Sequence, residues 1–102
     1  MDLSEFGRFS DPALLILTSL AGGEKHGYAM MEDIEKMADV RLGAGTLYGA
    51  LSRLEQAGMI EALPVDERRR PYRLTALGAS SLRQALASLE KFASIGLKRL
   101  TA

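Results

Sequence analysis

The chain has 102 residues, with 13 lysines and arginines against 13 aspartates and glutamates, 47% apolar residues, one histidine and no cysteine. That is the size of a single domain with one core. It is too apolar for disorder and leaves no place for disulfide scaffolds, thiol catalysis or most zinc chemistry. A net charge of zero argues against nucleic acid as a partner, but the average hides a polarity along the chain.

Residues 1–9 (MDLSEFGRF) read as a short arm, with Leu3, Phe6 and Phe9 at helical spacing to dock on something apolar. Ser10-Asp11-Pro12 is a helix start, an oxygen-bearing cap followed by proline at the first helical position. The helix it opens runs to about Ala21, is apolar on nearly all sides through Leu14, Leu15, Ile16, Leu17 and Leu20, and so belongs at the centre of a core. Its apolar run is far shorter than the roughly 20 residues of a membrane span. With no basic segment before it and no cleavage pattern after it, a cytoplasmic protein without a signal peptide is expected. Gly22-Gly23 ends the helix, and a second runs from about Gly27 to Ala38. Its expected inner face is Tyr28, Met31, Ile34, Met37 and Ala38, with Glu32, Asp33, Glu35, Lys36 and Asp39 outside.

A turn through Asp39 to Ala44 leads to a third helix, about Gly45 to Ala57, closed by Gly58. Leu47, Ala50, Leu51 and Leu54 recur at core-facing spacing. The period then changes. Ile60 to Val65 and Pro71 to Thr75 read as two strands of a hairpin with a charged tip, Asp66-Glu67-Arg68-Arg69-Arg70. Because Pro71 cannot donate to a ladder, its strand is expected at an edge. Thr75 caps a last helix from about Ala76 to Leu100. The fold class is therefore mainly α with a small β-hairpin, a winged helix-turn-helix with a long C-terminal helix. Residues 1–75 form its head with the N-terminal arm, and residues 76–102 form a pairing helix.

Charge follows this organisation. Residues 1–40 carry three bases and eight acids, residues 41–75 six bases and four acids, and residues 76–102 four bases and one acid. In the middle segment every base is arginine, the residue suited to bidentate phosphate and guanine contacts. Opposite its leucines the third helix carries Gly45, Tyr48, Gly49, Ser52, Arg53 and Gln56, with Thr46 in its first turn. Small, hydrogen-bonding and cationic groups near a helix N-terminus are what a DNA major groove accepts. Arg68, Arg69 and Arg70 at the hairpin tip, with Arg73 on the return strand, suit a wing that reaches phosphates or a narrow minor groove. Arg41, in the preceding turn, is a further phosphate candidate. His26 reads as a cap of the second helix, without a catalytic partner. Gly43-Ala44-Gly45-Thr46 lacks the lysine and the preceding strand of a phosphate loop. No nucleophile, base and metal set is present, so neither an enzyme nor a cofactor is expected.

The last helix carries Leu82, Leu86, Leu89, Ala93, Gly96 and Leu100 at alternating spacings of four and three, with Phe92 and Ile95 beside them. This is a heptad stripe with small residues that permit close approach, and a homodimer is the expected result. Two-fold symmetry would set two reading helices one duplex turn apart, matching a pseudo-palindromic site.

His26-Gly27-Tyr28, the run Leu42 to Leu51, Arg53-Leu54-Glu55, Gly58-Met59-Ile60, Arg69 to Thr75 and Gly78 resemble the PadR family of transcriptional regulators. The resemblance covers about residues 11–82 and departs from the common pattern at Ala44, where many members carry proline. It implies a winged helix that binds operator DNA, dimerisation through a C-terminal helical part and, in many members, repression relieved by a phenolic or hydrophobic effector. The single last helix is similar to the family's short branch. The expected function is a dimeric, sequence-specific DNA-binding regulator acting as a repressor, with double-stranded DNA as partner. Met30, Met31, Met37 and Phe92 are candidates to line a cleft for a small apolar effector. The rival reading is a winged helix used as a protein-interaction module or antirepressor, marked by a stable dimer without DNA binding.

Overall fold

A computed structural model describes residues 11–102; the expected arm lies outside the described residues. Asp11 accepts from the Ala13 N–H at 2.9 Å and Pro12 takes the first position, which starts α1 (Pro12–Ala21). Leu15, Ile16, Leu17 and Leu20 are all buried, so this helix forms the hub of the core. A two-residue strand β1 (Lys25–His26) precedes α2 (Gly27–Ala38), and α3 (Ala44–Gln56) follows a short turn. The hairpin strands are β2 (Ile60–Ala62) and β3 (Pro71–Leu74), and α4 (Ala76–Thr101) closes the described chain.

The sheet order is β1-β3-β2, all antiparallel, with Ile60 opposite Leu74, Ala62 opposite Tyr72 and His26 opposite Pro71. This corrects the expectation that the Pro71 strand lies at an edge, because β3 is central. Pro71 is tolerated there as the first residue of its strand, and its carbonyl still accepts from the Leu63 N–H at 2.8 Å. Two residues carry too little periodicity for β1 to be read from sequence. The strands also stop sooner than expected, at Ala62 rather than Val65 and at Leu74 rather than Thr75. Pro64 has no N–H to continue the ladder.

The inner face of α2 needs a second correction. Met30 and Ile34 are fully buried, whereas Tyr28 is 59% and Met37 42% exposed. Burial of Met30 places it in the core cluster rather than in an effector cleft. The α3 expectation stands, since Leu47, Ala50, Leu51 and Leu54 are buried. Thr75 caps α4 by accepting from the Gly78 N–H at 3.0 Å, while its hydroxyl donates to the Gly58 carbonyl at 2.6 Å. Helix α4 has 26 residues and is about 39 Å long. Only Gly78 and Leu82 of it are buried. Beyond them Leu86, Leu89, Phe92, Ile95, Leu97 and Leu100 are exposed. Among the described residues no helix is long and apolar enough to cross a membrane.

Candidate nucleic-acid interface

The hairpin tip turns on Glu67 and Arg68, both with positive φ (49° and 69°), between two backbone bonds that join Asp66 and Arg69. Positive φ at both central positions of a two-residue turn is the type I′ geometry that matches strand twist. It turns three consecutive arginines back toward the start of α2. Arg68, Arg69 and Arg70 line one cleft of about 440 Å³ with His26, Gly27, Tyr28 and Tyr48. Thus the wing arginines and Tyr48 of α3, some twenty residues apart in sequence, border the same space.

Within the cleft, Tyr48 is half exposed and its phenol stands over the first residue of α2. A Cβ built on Gly27 would fall 2.5 Å from the Tyr48 hydroxyl oxygen, so glycine makes room for the ring. His26 caps α2, its Nδ1 accepting from the Ala29 N–H at 3.3 Å. Its Nε2 lies 3.0 Å from Arg69 Nη1. Arg70 folds back to donate to the Leu63 carbonyl at 2.7 Å. Under the cleft, burial pushes the Tyr72 phenol above its ordinary pKa; Glu55 and Tyr48 add to this and Arg70 opposes it.

The other expected residues do not line this cleft. Gly45, Thr46, Ser52 and Arg53 are exposed on α3. The Arg53 guanidinium lies back along its helix, 3.6 Å from where a Cβ on Gly49 would be. Gly43, the N-cap of α3, gives no side-chain bond to the first turn. Arg73 points to the face of the sheet opposite Tyr72 and is ion-paired with Glu61 on the neighbouring strand. Arg41 donates to Glu35 at 2.9 Å and lies outside the cleft. Among the described residues no group of three or more histidines and carboxylates gathers as a metal site.

The fold is a helix-turn-helix with a wing beside the start of α2, and the transcriptional regulator PadR-like family matches residues 16–84. The chain belongs to that family. It is 37% identical over 83 residues to the transcriptional regulator Rv3488 of Mycobacterium tuberculosis, covering 78% of this chain and 77% of that protein. It is 40% identical over 84 residues to a 37.1 kDa protein in transposon TN4556 of Streptomyces fradiae, covering 82% of this chain but only 24% of that protein. The structure of a transcriptional regulator from Clostridium thermocellum superposes with a TM-score of 0.74 at 30% identity, covering 84% of this chain and 89% of the other. The fold is the winged helix of these PadR-like regulators. Two cleft residues of this PadR-family chain escaped the sequence reading, His26 and Tyr28. Their signal was the His26-Gly27-Tyr28 triplet itself, in which the histidine caps, the glycine admits Tyr48 and the tyrosine borders the cleft.

Proposed function

We propose that this PadR-family regulator binds duplex DNA as a two-fold dimer and represses transcription from a pseudo-palindromic site. One observation carries the reading: Tyr48, on the exposed face of α3, and three wing arginines border a single cleft that, among the described residues, has no acid in its lining. On this reading Gly45, Thr46, Tyr48, Gly49, Ser52 and Arg53 approach base edges and adjacent phosphates in the major groove. Arg68, Arg69 and Arg70 hold flanking phosphates, and the uncapped N–H groups of the α3 first turn suit one more. Arg41 and Arg73, each engaged with a carboxylate within the chain, contribute less.

The division of labour puts reading in residues 1–75 and pairing in 76–102. Support for pairing is the run of exposed apolar side chains on the distal half of α4, which a second copy would cover. Leu82, the first residue of the expected stripe, is buried in the chain's own core, so pairing falls to Leu86, Leu89, Phe92, Ala93, Gly96 and Leu100.

The test is fluorescence anisotropy with duplexes recovered from a random pool, across a salt series. Three wing arginines and Arg53 from each of two subunits make about eight phosphate contacts at most. A slope of log K against log salt of about −5 to −7 is therefore expected. Affinity that is flat in salt refutes the phosphate contacts. A stable dimer that selects no DNA favours the protein-interaction reading instead.

A further inference from the structure

We infer that His26 and Arg69 share one phosphate oxygen of the DNA backbone, so that His26 is a contact residue of the interface as well as a helix cap. This rests on the DNA-binding reading above. The Ala29 N–H donates to His26 Nδ1 at 3.3 Å. A ring nitrogen that accepts carries no proton, so the ring proton sits on Nε2. That Nε2–H lies 3.0 Å from Arg69 Nη1, and a guanidinium has only donors. Two donors thus converge, an arrangement that an acceptor oxygen would relieve. An anionic oxygen placed in their fork turns a repulsive contact into two hydrogen bonds, one of them charge-assisted.

The surroundings select for such an oxygen. The cleft is lined by Arg68 and Arg70 beside the pair, and by the phenols of Tyr28 and Tyr48. Glu24, Asp66 and Glu67 border an adjoining depression that His26 and Arg69 also line, so the pair stands between an acidic side and the basic cleft. Spacing between the two donors is held by backbone, because His26 is paired with Pro71 two residues after Arg69. The wing and the start of α2 therefore present their donors as one unit.

His26→Asn separates the two roles. Asparagine is among the best N-cap residues but is too short to offer a donor beside Arg69. With a selected duplex of about 30 base pairs, room for two half-sites, the variant keeps the wild-type melting temperature and loses about tenfold in affinity. Its salt slope stays unchanged, since every arginine of the interface is kept. Arg69→Ala also weakens binding, and lowers the slope by about one per subunit. The double variant binds little worse than Arg69→Ala alone, because both side chains serve one oxygen. Wild-type affinity in a folded His26→Asn protein overturns the inference while leaving the DNA reading intact. Failure of the wild type to bind any selected duplex overturns that reading itself. Inorganic phosphate, followed through the His26 ring resonances, separates the two sources of the oxygen. Displacement of the phosphate effect by the duplex supports a backbone contact, and a phosphate effect that persists in the DNA complex overturns it.

Discussion

Replacing Gly78 with alanine puts a methyl group where the chain has a carbonyl. The new Cβ would lie 1.9 Å from the Met59 oxygen and 2.9 Å from its carbonyl carbon, whereas ordinary contact begins at 3.4 Å, so the two backbones must part by about 1.5 Å. Neither is free to do so. The Met59 oxygen accepts from the Thr75 N–H at 3.1 Å, and the Thr75 hydroxyl bridges the Gly58 carbonyl and the Gly78 N–H. Losing two of these bonds costs about 2 kcal/mol, and overpacking adds about 1–3 kcal/mol. The helix gains back about 0.5–1 kcal/mol from alanine, leaving a net loss of about 3 kcal/mol. For a domain of this size that lowers the melting temperature by about 12–24 °C, read by far-ultraviolet circular dichroism. A drop below about 5 °C would show that α4 and the wing base separate freely, and the reasoning would fail.

Gly27→Ala makes the opposite case, because its clash is with the end of the Tyr48 side chain rather than with backbone. The fold holds, Tyr48 swings away, and DNA affinity falls about 5–30-fold, the value of a lost hydrogen bond or two; equal loss in melting temperature would refute this. Glu67→Asn relieves positive φ at the wing tip and removes a carboxylate beside three arginines, so stability rises by about 1 kcal/mol and affinity increases in the same protein. Phe92, 76% exposed, contributes little to the single chain, so Phe92→Glu halves the mass seen by light scattering while the melting curve of the head is kept. Gly96→Ala, with nothing within 4 Å of its new methyl, gains about 0.5–1 kcal/mol in a lone helix and loses stability where a second helix packs there.

Local signals with one physical meaning were legible. Asp11-Pro12 and Thr75 start helices because each offers an oxygen to orphan N–H groups, and both do so in the structure. The α3 leucines had only one way to face inward. The misses share a cause, which is that two arrangements satisfied the same pattern. Ile34 belongs both to a Tyr28-Met31-Ile34-Met37 stripe and to a Gly27-Met30-Ile34 stripe. Hydrophobicity alone does not choose between them. In the structure the second stripe faces inward, Gly27 meeting Tyr48 and Met30 the core. Likewise Pro71 reads as an edge residue until a strand of two residues pairs with its far side. The cleft itself was half legible. The wing arginines and the α3 face were each visible as chemistry, but their convergence depends on a turn with two positive φ angles at Glu67 and Arg68, residues that carry no signal for it.

A net charge of zero is compatible with the proposed DNA reading because many of the acids lie on α2, away from the wing, although Asp66 and Glu67 stand beside its arginines. Exposed Glu32 and Glu35 lie on α2 with Lys36 and Asp39 around a separate depression, and Glu35 there engages Arg41. The cleft arginines share no lining residue with that patch and, among the described residues, have no carboxylate in their own lining. At physiological salt the screening length is about 8 Å, so a phosphate in the cleft senses the arginines and little of the acids behind them. Long-range attraction, which depends on the whole charge, is correspondingly weak. Binding then rests on contacts made only after docking, by side chains whose positions are fixed in advance: Tyr48 over Gly27, Arg70 on the Leu63 carbonyl, Arg69 beside His26. Such a surface loses non-specific affinity before it loses specific affinity. On the proposed DNA reading the acidic face of α2 therefore disfavours unrelated duplex while leaving the fitted site untouched.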